Sequence, residues 1–169
     1  MPFLSSLFRK KNRTNSIPDK LEPQPPLRHS HWAKALVPAV GLPYSMRGIE
    51  VACRLARTSN ATVNLVYVIE VPRSLMLNAS LPESESLAAI ALRDAEQTAR
   101  NYGVTVLGSI YRTRNARDGI VKMILDDGYD LLVLGARPDG IRGLPKDLTS
   151  ELYESAPCEI VLDYIAGEQ

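Results

Sequence analysis

The sequence predicts an α/β fold: an open sheet of five mainly parallel strands with helices on both faces. Two observations carry this prediction. Short apolar segments alternate along the chain with segments whose apolar residues recur at helical spacing. The 169 residues are also enough for one domain with a substantial core. Strands separated by helices need crossover connections, so neighbouring strands are expected to run parallel and both faces of the sheet to be covered.

The first part of the predicted domain contains two strands and the helix between them. A short apolar strand at residues 34–39 is expected to end at Pro38 and Gly41. Ser45 is a suitable N-cap for the following helix. Residues 61–69 are mostly apolar and rich in β-branched side chains, which is typical of a strand buried on both faces.

The middle of the chain predicts a long helix, a strand and a shorter helix. Pro82 suits the first turn of the long helix, and Gly103 is the expected stop. Residues 104–111 follow as the third strand. A shorter helix comes next and ends at Gly128, and the residues that mark it are Ile120, Val121, Met123, Ile124 and Asp127. The long helix is expected to bury one stripe of residues: Leu87, Ile90, Ala91, Ala95, Thr98 and Tyr102.

The last part of the domain predicts a fourth strand at 130–134, a helix broken by Pro157, and a fifth strand at 159–162. Ligands of open parallel sheets bind beyond the carboxyl ends of the strands, where the strand order reverses. The loops at residues 39–44 and 135–145, after the first and fourth strands, are therefore the expected binding loops. The last helix is marked by Leu148, Leu152 and Ser155.

Residues 1–31 are predicted to form a flexible basic arm, followed by the domain at 32–165 and a short tail at 166–169. Residues 1–32 carry six Lys or Arg against two acidic residues, and proline and serine are frequent. Within residues 1–13, four apolar side chains would share one face of a short helix beside basic residues: Phe3, Leu4, Leu7 and Phe8. This segment is either a docking segment for a membrane surface or a protein partner, an organelle transit segment, or a tail without a ligand.

Composition excludes several classes of protein. A net charge of +1 argues against a dedicated nucleic-acid binder. No run of about eighteen apolar residues is present, so a soluble, cytoplasmic protein is expected. Cys53 and Cys158 lie in apolar surroundings, which favours buried, reduced thiols. His29 and His31 lie in the arm and are too few to predict a metal site.

Three short segments resemble signatures of the universal stress protein family. They are residues 36–41 with Ser45, residues 130–135, and Ala156-Pro157-Cys158 before the final strand. The resemblance covers about residues 33–163. It implies an adenine nucleotide alpha hydrolase-like fold, formation of dimers and, in one branch of the family, binding of ATP or AMP.

The nucleotide-binding motif of that branch is incomplete in this sequence. The strand-one Asp that contacts adenine in the branch corresponds to Val40, which accepts no hydrogen bond. The loop pattern G-x2-G-x9-G-[ST], counted from Gly135, has Pro138 as its second glycine and Leu148-Thr149 as its final pair. Counted back from the Ala-Pro-Cys segment, the pair is Lys146-Asp147.

Two interpretations of the loop stay open: a lost or altered nucleotide site, and one rebuilt with Arg and Lys in place of glycine amides. Arg112, Arg114 and Arg117 belong either to the same rim or to a basic surface patch. The candidate nucleotide-binding residues are Val40, Gly41, Gly135, Arg137, Gly140, Arg142, Gly143, Lys146 and Thr149.

The sequence predicts no catalytic residues and no cofactor, apart from ATP or AMP if the site is rebuilt. The globular part contains no histidine, and Asp126-Asp127 is expected to be a surface charge pair. The last strand is expected at a sheet edge, where a second copy would pair with Glu159, Ile160, Val161 and Leu162. Three functions follow: a non-enzymatic regulatory or interaction module, an adenine-nucleotide-binding stress-response protein, and an adaptor tethered by its arm.

Overall fold

The computed structural model describes residues 32–41, 46–136 and 144–164. The predicted arm, the docking segment at 1–13 and the tail at 166–169 lie outside the described residues. Strands and helices alternate in the described part as β1 (Lys34–Val40), α1 (Met46–Ser59), β2 (Thr62–Glu70), α2 (Pro82–Tyr102), β3 (Val106–Thr113), α3 (Ala116–Asp127), β4 (Leu131–Ala136), α4 (Lys146–Ser155) and β5 (Glu159–Tyr164).

The five strands form one parallel sheet in the order β3-β2-β1-β4-β5. This confirms the predicted open α/β fold. The chain moves outward from β1 to β2 and β3 and then crosses back to place β4 on the other side of β1. The strand order therefore reverses between β1 and β4, and the loops that follow these two strands lie side by side at the carboxyl ends of the strands.

Helices cover both faces of the sheet, two on each face. Alternate side chains of the central strands pack with α1 and α2, and the remaining ones pack with α3 and α4. Ala35, Val37 and Ala39 of β1 belong to the first cluster, whereas Leu36 belongs to the second. None of the helices in the described segments is both long enough and apolar enough to cross a membrane.

Pro38 lies inside β1, so the expectation that it helps to end the strand is wrong. The carbonyl of Lys34 accepts from the Asp130 amide next to β4, and that of Ala33 accepts from the Thr62 amide of β2. Because backbone groups alternate along a strand, Pro38 faces the β4 side, as Lys34 does. Its missing N–H therefore costs no hydrogen bond with β2, and β1 continues to Val40.

The buried stripe of α2 agrees with the prediction at Ala91 and Ala95 and differs from it elsewhere. The fully buried residues are four alanines: Ala88, Ala91, Ala95 and Ala99. Ile90 is 42% exposed, whereas Leu87 and Tyr102 pack against the rim of the core. Small side chains let a helix lie close to its neighbours, so here the alanines rather than the largest apolar residues face the core. Gly103 ends the helix in a left-handed conformation, as predicted.

The helix α3 begins at Ala116, four residues before Ile120, the first apolar residue that marked it in the sequence. Asn115 is its N-cap, with its side-chain oxygen accepting from the Asp118 amide at 2.9 Å. The carboxylate of Glu70 accepts from the Ala116 amide at 2.6 Å. The apolar pattern marks only the part of the helix that faces the sheet, and its polar first turn carries no apolar signal.

Candidate functional site

The switch point between β1 and β4 is where the sheet opens. β1 pairs with β2 along all seven of its residues, but with β4 only at Ala35 and Leu36. Pro38 comes two residues later and offers no donor on the β4 side. The strands therefore part toward their carboxyl ends, where a ligand of this fold class would bind.

Val40 and Gly41 end β1 at this edge. Val40 is half-buried and packs against the core cluster of α3 and α4. Gly41 has φ +66°, a left-handed conformation that glycine adopts without strain. Its carbonyl accepts from the Tyr67 hydroxyl at 3.2 Å. Burial raises the pKa of Tyr67, so this hydroxyl stays a donor. The end of β1 thus presents an aliphatic side chain and a carbonyl that already has a partner.

The first turn of α1 lies against the end of β4 at Gly48 and Gly135. A Cβ added at Gly48 would come 3.5 Å from the Gly135 amide nitrogen and 3.3 Å from Cγ1 of Val37. The Gly135 carbonyl accepts from the Leu144 amide at 3.0 Å, where the chain returns from the loop. Both ends of the loop at 137–143 are therefore anchored at the switch point.

The helix α4 begins directly after this loop. Pro145 occupies its N-cap position and supplies no side-chain hydrogen bond. Lys146, the first helical residue, is exposed. Thr149 is 8% exposed, and its hydroxyl donates to the Pro145 carbonyl at 3.0 Å. The Thr149 hydroxyl proton is therefore already used inside the protein, whereas Pro145 provides no side-chain cap for the first turn of α4.

The structure brings together only part of the predicted site. Five predicted residues lie at the carboxyl ends of β1 and β4 or in the first turn of α4: Val40, Gly41, Gly135, Lys146 and Thr149. Four other predicted residues, Arg137, Gly140, Arg142 and Gly143, lie outside the described residues. The prediction of a nucleotide site at these positions stays a prediction.

An ion pair at the same edge was not predicted from the sequence. Arg47 in the first turn of α1 binds the carboxylate of Asp163 in β5 through two hydrogen bonds of 2.7 and 3.1 Å. The hydrogen bond from Arg47 lowers the pKa of Asp163 against the opposing effect of burial. Since these residues lie 116 positions apart, only the sheet order reveals that they meet. Their charges are therefore used to join α1 to β5.

Arg112 at the end of β3 and Arg114 just after it contact the loop before α2. Arg112 donates to the Ala79 carbonyl at 2.6 Å and forms an ion pair with Glu85. Arg114 donates to the carbonyls of Val71 and Leu75 at 3.0 and 2.8 Å. These contacts fix residues 71–81, the connection from β2 to α2.

The third arginine and the nearby helix N-terminus are also engaged. Arg117 pairs with its neighbour Asp118 at 2.9 Å. The first amides of α3 are bound by Glu70 and Asn115. An anion at this helix would have to displace a carboxylate, so α3 is a poor place for a phosphate.

The two cysteines and the predicted acidic pair are the remaining candidate groups in the described part of the chain. Cys53 is buried, and burial raises its pKa to about 11, so the thiol stays protonated. Cys158 is half-buried, and burial raises its pKa as well. Asp126 pairs with Lys122 one helical turn away, on the surface of α3. No group of His, Cys, Asp and Glu suited to hold a metal occurs among the described residues.

The four residues predicted to pair with a second copy lie in β5, at one edge of the described sheet. Leu162 is 42% exposed. Glu159 is exposed and accepts from the Trp32 indole at 2.6 Å. The predicted strand thus lies at a sheet edge with an apolar side chain in solvent.

Three solved structures illustrate the likeness of this fold to known ones. A universal stress protein from Archaeoglobus fulgidus has a TM-score of 0.63 at 16% identity and covers 78% of this chain and 98% of its own. One from the same organism in complex with dAMP has a TM-score of 0.61 at 13% identity, with 78% and 97% covered. An AMP-bound family protein from Arabidopsis thaliana has a TM-score of 0.55 at 17% identity, with 78% and 91% covered.

Identities this low show a common fold and nothing about ligands. The sequence matches no curated protein closely enough to count as a relative. The sequence model of the universal stress protein family, in contrast, matches residues 32–162, which is most of the chain. The protein therefore belongs to the universal stress protein family.

Proposed function

We propose that this protein is a non-enzymatic regulatory or interaction module of the universal stress type, with a switch-point site that no longer binds ATP or AMP. Val40 is the observation that carries the proposal. Its side chain packs against the apolar cluster of α3 and α4, where a polar contact to adenine would be needed. Leaving the polar edge of a base unpaired in such a place costs about 1–3 kcal/mol.

The first turn of α4 supports the same proposal. The Thr149 hydroxyl donates to Pro145 and is not free to donate to a phosphate. A non-enzymatic role is further supported by the sequence of the globular part, which contains no histidine to act as a general base.

The alternative is a rebuilt adenine-nucleotide site, and one observation favours it. The N-cap position of α4 is Pro145, which caps no amide with its side chain, and the exposed Lys146 is the first helical residue. Free amides at a helix N-terminus beside a cation are suited to bind a phosphate. In this alternative, phosphate contacts replace the missing adenine contact.

Isothermal titration with ATP and with AMP, each with and without magnesium, tests the proposal. We expect no saturable heat with either nucleotide at up to about 1 mM. Such a titration detects binding whose free energy is about −4 kcal/mol or more favourable. Micromolar binding would contradict the proposal. The variant Lys146→Ala then identifies the site: it weakens binding in a rebuilt site at α4. The matched control is Arg57→Ala. Arg57 is an exposed cation in the last turn of α1, at the amino ends of the strands and away from the switch point.

We further propose that two copies pair through β5. An edge strand presents unpaired backbone groups that a twin strand can satisfy in a two-fold dimer. The exposed Leu162 adds apolar surface that such a contact would bury.

A further inference from the structure

The strand β3 forms the other edge of the described sheet, opposite β5. Its residues 107–110 are all exposed, although they lie in the middle of an eight-residue strand. Two of them are large and apolar: Leu107 is 53% exposed and Ile110 is 42% exposed. Since these positions differ by an odd number, one side chain lies on each face of the sheet.

The backbone groups that point away from the sheet can be assigned. The Thr113 carbonyl accepts from the Val71 amide at 2.8 Å, so the backbone of Thr113 faces β2. Backbone direction alternates along a strand, so Gly108, Ile110 and Arg112 direct their N–H and C=O groups outward. The result is a row of donors and acceptors along an edge of about 26 Å, at 3.3 Å per residue.

This edge lacks the features that usually protect an edge strand. Such strands are commonly short, bulged, or interrupted by proline or lysine. β3 contains neither residue, and its register with β2 runs without a break from Val106 to Thr113. Its one charged residue, Arg112, is held by Glu85 and the Ala79 carbonyl.

We infer that β3 is a docking site for an extended, uncharged segment of another protein, which adds a sixth strand to the sheet. Backbone hydrogen bonds define the occupant as an extended chain, and residues 106–111 offer no charge for a charged segment to pair with. Apolar or β-branched side chains of the segment would lie beside Leu107 and Ile110.

A second copy of this chain suits the β3 edge less well than a foreign segment does. If copies already pair through β5, self-pairing through β3 as well would generate open-ended arrays rather than a closed assembly. The choice of a foreign segment over a second copy depends on the proposed β5 dimer. The inference that the β3 edge is open for docking does not depend on that dimer.

A peptide-display experiment on the full chain tests the inference. A library of ten-residue peptides is selected for binding to the protein and counter-selected against Ile110→Pro, which removes one outward N–H and leaves the pairing with β2 intact. Ile110→Thr keeps the donor and is the matched control. We expect the selected peptides to be uncharged, to bind wild type and Ile110→Thr within about threefold, and to bind Ile110→Pro at least tenfold more weakly.

A second measurement covers the case in which Ile110→Pro fails to fold. The best peptide is synthesised in two further versions, one N-methylated at its odd positions and one at its even positions. One version should bind the wild-type protein at least tenfold more weakly than the unmodified peptide, and the other should not. Equal loss or no loss in both versions, or no enriched peptide, would overturn the inference. Concentration-dependent assembly of the wild type that Ile110→Pro abolishes would overturn the choice of a foreign segment. None of these results depends on nucleotide binding.

Discussion

Asn64 is the buried side chain whose hydrogen bonding is incomplete. It lies in β2 at 8% exposure, and its Nδ2 group has no partner among the described residues. Its register neighbours are Leu36 in β1 and Leu107 in β3. Because aliphatic residues surround it, the amide group loses its hydrogen bonds to water, and the protein replaces them only in part.

We predict that Asn64→Val raises the free energy of unfolding by about 1 kcal/mol, since it removes an unsatisfied donor and adds a β-branched apolar side chain to a central strand. Urea unfolding followed by circular dichroism measures the change. Thr62→Val, at an exposed position of the same strand, should change stability by no more than about 0.5 kcal/mol. A destabilised Asn64→Val would mean that the amide has a partner in solution.

Asp163 should make the stability of the protein depend on pH at the acidic end. Its folded-state pKa is lowered from the ordinary value of 3.8 by the hydrogen bond with Arg47. A lowered carboxyl pKa contributes stability above the unfolded pKa, and that contribution is lost as the pH falls through the folded pKa. The gap in unfolding free energy between wild type and Asp163→Asn should be constant above about pH 5 and shrink below about pH 3.8.

Urea titrations from pH 2 to 7 measure this gap, and Arg47→Gln should give the same profile because it removes the same ion pair. A gap that does not change down to pH 2 would show that the ion pair does not contribute.

At the scale of an element, α3 shows how closely a helix can be fitted to the sheet. Gly119 lies on its buried face, and a Cβ there would come 2.9 Å from the Tyr111 ring and 3.0 Å from Cβ of Thr113. Both neighbours belong to β3. The absence of a side chain at Gly119 therefore sets the distance between α3 and the edge strand.

We predict that Gly119→Ala lowers the free energy of unfolding by about 1–3 kcal/mol. The overpacking outweighs the gain of about 1 kcal/mol in helix propensity, because neither the ring nor the strand can move without disturbing other contacts. Chemical denaturation is the measurement. Leu125→Ala in the same helix, at a position that is 64% exposed, should have little effect. A stabilised Gly119→Ala would show that β3 yields easily.

At the scale of the whole molecule, the two sheet edges differ. β5 contains Glu159, Asp163 and the exposed Leu162, whereas β3 is uncharged over residues 106–111. We assign the first edge to a second copy and the other to a foreign strand. The order of the strands decides this arrangement, since it places β3 and β5 at opposite ends of the sheet.

We predict that the wild-type protein is a dimer by light scattering at tens of micromolar and that Leu162→Lys is a monomer. A charge on the strand would be buried without a partner in the dimer. Leu125→Lys introduces the same charge at an exposed position on α3 and should leave the dimer intact. A monomeric wild type would contradict the assignment of β5 as the dimer edge.

The sequence alone determined the alternation of strands and helices, and therefore the fold. Apolar periodicity is a local property, and so are the glycines that end α2 and α3, which were predicted at their observed positions. The helix α2 marks the limit of this reasoning. Its pattern identified the helix and correctly selected Ala91 and Ala95 for the core, but it also selected the exposed Ile90 and missed Ala88 and Ala99.

The tertiary structure decided which residues of different strands and helices lie next to each other. Pro38 is harmless inside β1 only because its missing donor faces the side on which β4 departs, a fact about a neighbouring strand. The pairing of Arg47 with Asp163 and the close approach of Gly48 to Gly135 likewise join residues far apart in the chain. Propensity acts over a few neighbouring residues, whereas these contacts depend on which strands become neighbours, and only the folded sheet sets that order.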